Sequence, residues 1–252
     1  MRTSQLTAIP AALITVCAIT ASTLMLGTLV SPVASASTEP SIPVGTMAAA
    51  PTVVQTGTKP TLTWNINYPS VVKNYITITP PGTVTPLQNL ICDIRVLGLG
   101  VTTQNSNGSI NYIETKVLMK YNGSASWTSI YDGKETDTLV QQQGIIKTLN
   151  ITSAKSIDFG GQYYYNGSWS TARYSTTGYV WTLVNGDACP NRVPDYNAPS
   201  LATFLKNYLD SSNKIRIGPM DVIVFMELTH TSTADVGYDQ QDAVLLISFR
   251  TS

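Results

Sequence analysis

Histidine is nearly absent from this sequence: His230 is the only one among 252 residues. Acid–base catalysis through imidazole therefore has one residue to recruit, and no Gly-x-Ser-x-Gly elbow presents a serine to it. Cysteine is scarce too, and Cys17, Cys92 and Cys189 are too few for a cysteine-type zinc site. Glycine-rich phosphate loops and dinucleotide-binding fingerprints are missing as well. Charge is the largest shortfall. Charged side chains make up 12% of the chain, against about 25% in ordinary soluble domains. The 15 basic and 15 acidic residues cancel, and without a Lys/Arg cluster the chain has no electrostatic footprint for nucleic acid. The polar surface falls to Thr, Ser, Asn, Gln and Tyr, which repel weakly and favour association.

What is present begins with an export signal. Met1-Arg2, an apolar run from Ala11 to Val30, Pro32 and the small-residue site Ala34-Ser35-Ala36 follow the order of a secretory peptide. Residues 1–36 are expected to be removed after Ala36, and losing Arg2 leaves a formal charge of −1. An uncleaved anchor is the alternative, since 20 residues from Ala11 to Val30 could span a bilayer. Gly27 and Pro32 break that run, and no basic cluster fixes it; any membrane contact would come through this signal alone. Cys17 follows Val16 rather than a small residue, which weakens a lipoprotein reading. Residues 37–51 are rich in Pro, Ser, Thr and Ala without periodicity and read as a linker. One domain is expected over 52–252, with the extracellular space, the cell surface or the periplasm as its destination.

Export places Cys92 and Cys189 in an oxidising compartment, where one disulfide between them or two separate thiols are the alternatives. Regular structure is written as alternation. In "TLTWNINY" (61–68), Leu62, Trp64, Ile66 and Tyr68 share one face, and in "LICDIRVLG" Leu90, Cys92, Ile94 and Val96 do the same. "NYITIT" (74–79), 213–217 and 221–229 read as further strands, and "AVLLISF" (243–249) is apolar on both faces, hence central. Asn-Gly pairs begin at Asn107, Asn122, Asn166 and Asn185, four where composition alone gives about one. With Asp132-Gly133 they mark hairpin turns. "SLATFLKNYLD" (200–210), capped at Ser200, places Leu201, Phe204, Leu205 and Tyr208 on one stripe and predicts a helix packed on the sheet. The fold class is all-β: a mainly antiparallel β-sandwich with Asn-Gly hairpins and one short packed helix.

Candidate sites are few. Glu227 and His230 have a metal-ligand spacing, but they follow a β run, where residues three apart face opposite ways. "TADVGYDQQD" gathers Asp235, Asp239 and Asp242 in one loop, either a Ca²⁺ site or solvated turn acids; no other cofactor is implied. The sharpest feature is "YYYNGSWS" (163–170). A two-residue turn at Asn166-Gly167 sets Tyr164 opposite Trp169, a cross-strand aromatic pair. Tyr163 and Tyr165 then share the other face, and with Trp169 they are the candidate ligand-binding rings, for a sugar, the core or a subunit contact. "KYNGSASW" (120–127) looks like a second such hairpin.

The runs "PTVVQTGTKPTLTWNINYP", "PGTVTPLQNLICDIRVLG" and "YLDSSNKIRIGPMDVIVFMELTHT" resemble a group of exported bacterial proteins of uncharacterised activity, and the opening strands look broadly immunoglobulin-like. The resemblance implies export and an all-β fold and carries no functional residue over. The cysteine pair around a strand tryptophan that marks true immunoglobulin domains is absent. The expected function is that of a non-enzymatic cell-surface or extracellular structural or interaction protein, with self-assembly or a surface glycan as its partner. A carbohydrate-binding module using the aromatic rings is the first alternative and a carboxylate-based hydrolase the second.

Overall fold

Alternation becomes strands where it is most regular. The computed structural model describes the backbone of 44–49 and 62–67, and residues 69–122, 124–193 and 203–251. The expected signal peptide and its cleavage site, Ser200 and Leu201 lie outside the described residues.

β1 (Val44–Ala49) and β2 (Leu62–Asn67) form an antiparallel hairpin of their own. β1 falls inside the stretch read as a linker: once "LTWNIN" is extended, its backbone edge needs a partner, and the chain just before it supplies one whatever its composition. Next come β3 (Ile76–Thr79), β4 (Thr83–Pro86), β5 (Leu90–Gly98), β6 (Thr102–Gln104), β7 (Ile110–Tyr112), β8 (Thr115–Tyr121) and β9 (Thr128–Gly133). A four-residue helix, α1 (Thr138–Gln141), leads into β10 (Ile145–Ile151). β11 (Ile157–Tyr165), β12 (Ser168–Trp169), β13 (Arg173–Tyr174), β14 (Val180–Val184), β15 (Asp221–Met226) and β16 (Ala243–Thr251) complete the series.

Two antiparallel sheets face each other. One has the order β10-β5-β16-β15-β14; the other runs β3-β4-β11-β8-β9, with β12 and β13 paired to β11. Leu90, Cys92, Ile94 and Val96 of β5 point into the space between them, as their alternation dictates. They meet Ile76, Val84, Val117, Met119, Ile157 and Phe159 from the facing sheet. β16 is central, and both its faces are covered. Leu245, Ile247 and Phe249 enter the inner core, while Val244 turns to a second cluster with Ile223, Phe225 and Leu97.

That second cluster is roofed by the segment expected to be a helix. Residues Thr203–Tyr208 form a 3₁₀ helix instead. Leu205 and Leu209 are buried, and Phe204 and Tyr208 pack beside them, so the apolar stripe does reach the sheet. An α-helix cannot extend because the chain doubles back at once: Leu209 bridges Ile215, and the Arg216 amide donates to the Tyr208 carbonyl. The same reversal replaces the strand expected over 213–217 with isolated bridges at Lys214 and Ile215. Asp132-Gly133 likewise makes no turn; both residues continue β9, where they pair with Lys116 and Thr115.

The candidate disulfide does not form. Cys92 belongs to the inner core and Cys189 to the roof cluster, on opposite faces of one sheet, so the two do not meet. Burial, with a lesser push from Asp93, raises the Cys92 thiol to about 12.

Candidate functional site

The turn at Asn166-Gly167 decides how the tyrosines are presented. Its φ angles are +51° and +82°, the left-handed pair that a two-residue hairpin needs and that Asn-Gly adopts at little cost. Tyr164 therefore pairs with Trp169 and Tyr165 with Ser168. The Tyr164 and Trp169 rings meet edge to face, 5.3 Å between centroids and 62° apart. Lys116 of β8 places its ammonium 3.6 Å from the Trp169 ring centre, a cation–π contact. The same ammonium lies 3.6 Å from the Asp132 carboxylate on β9.

The look-alike hairpin delivers a second group to the same face. Trp127 stacks on Tyr174 with centroids 4.1 Å apart and planes 20° apart, and Lys120 stands 6.0 Å from its ring. Val117 and Met119 point into the core, so Lys116 and Lys120 point outward together. Four strand residues separate the lysines by about 13 Å. Gly160 of β11 lets β13 lie close: a Cβ there would come within 2.5 Å of the Arg173 carbonyl and 2.6 Å of the Tyr174 ring. The outer face of this sheet thus carries two tryptophan–tyrosine pairs, each beside a lysine. Tyr164 is its most open ring, 39% exposed, while Tyr165, 48% exposed, turns to the opposite side of the hairpin tip.

Tyr163 departs from its neighbours. It packs against the inner core, its amide donates to Ser170 Oγ at 3.1 Å, and it lines a groove of about 450 Å³ with Arg173 and Tyr179. Of the three candidate rings, Tyr163 serves the core side, Trp169 is covered by Lys116, and Tyr165 alone stands open.

Behind the groove lies a turn built on buried acids. Arg173 stacks 4.4 Å over Tyr179 and donates to the backbone carbonyls of Glu227 and His230. β15 ends at Met226, so Glu227 and His230 are not opposed across a strand as their sequence context predicts. Glu227 is fully buried instead, and it ties the turn together. Its Oε1 accepts from the amides of Thr229 (3.0 Å) and His230 (2.7 Å), and its Oε2 from those of Asp239 (3.0 Å) and Gln240 (3.2 Å). His230 Nδ1 lies 2.8 Å from Thr229 Oγ1 and 3.8 Å from Glu227 Oε1.

Asp242 completes the turn, its Oδ2 accepting from the amides of Leu228 (2.6 Å) and Thr229 (2.9 Å). Burial, then the Glu227 and Asp239 carboxylates, drives the Asp242 carboxyl well above its usual range. Asp239 is raised to about 6, chiefly by burial. The proposed Ca²⁺ ligands are therefore divided: Asp242 is buried in this turn, Asp239 bonds to Gln241, and Asp235 is exposed. Among the described residues no three His, Cys, Asp or Glu side chains converge as a metal-holding group.

Sequence reasoning missed Trp127, Tyr174, Lys116 and Lys120 as parts of one face; the likeness of "KYNGSASW" to "YYNGSWS" was the only signal. It missed the Glu227–Asp242 pair for want of any signal, since the two lie 15 residues apart and meet only through the turn. No protein-family model matches the chain, and no curated protein or solved structure is significantly similar to it.

Proposed function

We propose that this is an exported, non-enzymatic surface protein that acts by contact, with the outer face of the β11–β8–β9 sheet as its contact surface and a second copy of the chain as its partner. The observation that carries the reading is the pairing of two tryptophan–tyrosine groups with Lys116 and Lys120 on one face, where Tyr164 stands exposed. Aromatic rings and cationic side chains on a rigid sheet offer large contact area at little conformational cost. The scarcity of charge removes the repulsion that keeps ordinary surfaces apart.

Two alternatives are less well supported. A glycan gripped by Tyr163, Tyr165 and Trp169 would find one open ring. A carboxylate hydrolase would look to the buried acid pair, yet both Glu227 carboxyl oxygens and Asp242 Oδ2 are engaged by backbone amides that hold a turn. The reading is tested by light scattering of the chain from Ser37 onward at low salt. The expected result is concentration-dependent association that is lost in Tyr164→Ala/Trp169→Ala; a strictly monomeric wild type overturns it.

A further inference from the structure

One cavity lies away from the aromatic face, above β5, α1 and the 3₁₀ helix. It measures about 660 Å³, within the range of small-molecule sites. We propose that it binds one uncharged, pyranose-sized sugar unit.

The walls fit that chemistry. Phe204 supplies an apolar face, and its seat is fixed by Gly98, where a Cβ would come within 2.2 Å of the ring. Around it stand Glu135, Gln141, Gln143, Asn207 and Tyr112. Glu135 is only 8% exposed; its Oε2 accepts from the Leu99 amide at 2.6 Å and its Oε1 from Gln141 Nε2 at 3.2 Å. Each carboxyl oxygen keeps further acceptor capacity. Gln143 Oε1 accepts from the Tyr208 hydroxyl at 2.6 Å, so its amino group remains as donor. Among the described residues nothing bonds to the Asn207 side-chain amide or the Tyr112 hydroxyl.

Planar amide and carboxyl groups beside an aromatic ring match the alternating donors, acceptors and C–H faces of a sugar. Glu135 is the only ionisable acid or base of the cavity beside the Tyr112 phenol, which opposes an anion. The preponderance of neutral donors and acceptors favours a polyol over a simple cation. A lone carboxyl also lacks the second acid that glycoside hydrolysis needs, so the site binds rather than cleaves.

Saturation-transfer NMR with the methyl glycosides of glucose, galactose, mannose and N-acetylglucosamine tests this, with ethanolamine as the cationic probe. At least one glycoside is expected to bind at millimolar concentration. Asn207→Ala and Gln141→Ala, each checked for folding by circular dichroism, should weaken it about tenfold, as loss of one good hydrogen bond does. Tyr164→Ala/Trp169→Ala should bind it as wild type does, which separates this site from the aromatic face. The proposal is overturned if none of the four glycosides binds, if binding is indifferent to Asn207→Ala and Gln141→Ala, or if ethanolamine alone binds and loses its site in Glu135→Gln.

Discussion

At Asp242 a carboxyl group is buried beside a second one, and the consequence is a dependence on pH of unusual sign for a protein acid. Burial and the neighbouring Glu227 and Asp239 carboxylates all oppose its ionisation; the Leu228 amide favours it but does not prevail. Asp239 moves the same way, from an ordinary 3.8 to about 6. A folded state with raised acid pKa values holds protons that the unfolded chain releases, so stability falls as pH rises. The stabilisation is fully present below the ordinary aspartate value and is lost as pH climbs through about 6 and beyond. Asp242→Asn keeps an acceptor for the Leu228 and Thr229 amides and a donor towards Glu227 while removing the ionisation. Urea unfolding at about pH 4.5 and about pH 8 should therefore show a smaller loss of stability in the variant than in wild type. An equal loss in both would place the pH sensitivity elsewhere. At Cys92 a thiol raised to about 12 in the core should resist alkylation in the folded protein and react only on unfolding.

Hairpins and strands were legible wherever one local rule sufficed. Asn166-Gly167 specifies its own turn, and the turn then specifies the Tyr164–Trp169 pair, so ring contact followed from eight residues. Asn166→Ala should cost about 1 kcal/mol in urea unfolding, because alanine lacks asparagine's tolerance of positive φ; no change would mean that the turn does not set the hairpin's stability. The central place of β16 was legible for a similar reason: apolar residues on both faces need cover on both. Elements failed where distant partners decide. The stripe of Phe204, Leu205 and Tyr208 fits an α-helix and a 3₁₀ helix equally well over so few residues, and the Leu209–Ile215 bridge chose the shorter one. Trp127 and Tyr174 meet across 47 residues of chain, and no local pattern announces that stack. Glu135 gave no warning either, since one acid of three in "DGKETD" gains meaning only when Leu99 and Gln141 close on it. At the sheet edge, a bulge between Ile145 and Lys147 and the lysine's charge guard β10 against strand addition. An edge so guarded suits the proposed association through a face.

Over the whole molecule, scarcity of charge and direction of the carboxyl shifts combine. Glu135, Asp221, Asp239 and Asp242 are all raised, in each case chiefly by burial. Each adds stability in mild acid that is lost as pH rises, so thermal unfolding should show a higher midpoint at about pH 5 than at about pH 8. A higher midpoint at the alkaline end would contradict this assignment of buried acids. With two sheets closed over one core and a second cluster roofed by 203–217, the apolar residues are largely spent inside, and the outer aromatic face stands out as unspent surface. The most direct test of contact through that face is hydroxyl-radical footprinting of the associated and the dilute protein, read ring by ring. Oxidation of Tyr164, Tyr174, Trp127 and Trp169 should fall in the associated form while Trp181, on the other sheet, stays as it was. Equal oxidation of those four rings in both forms would show that the protein associates through some other surface.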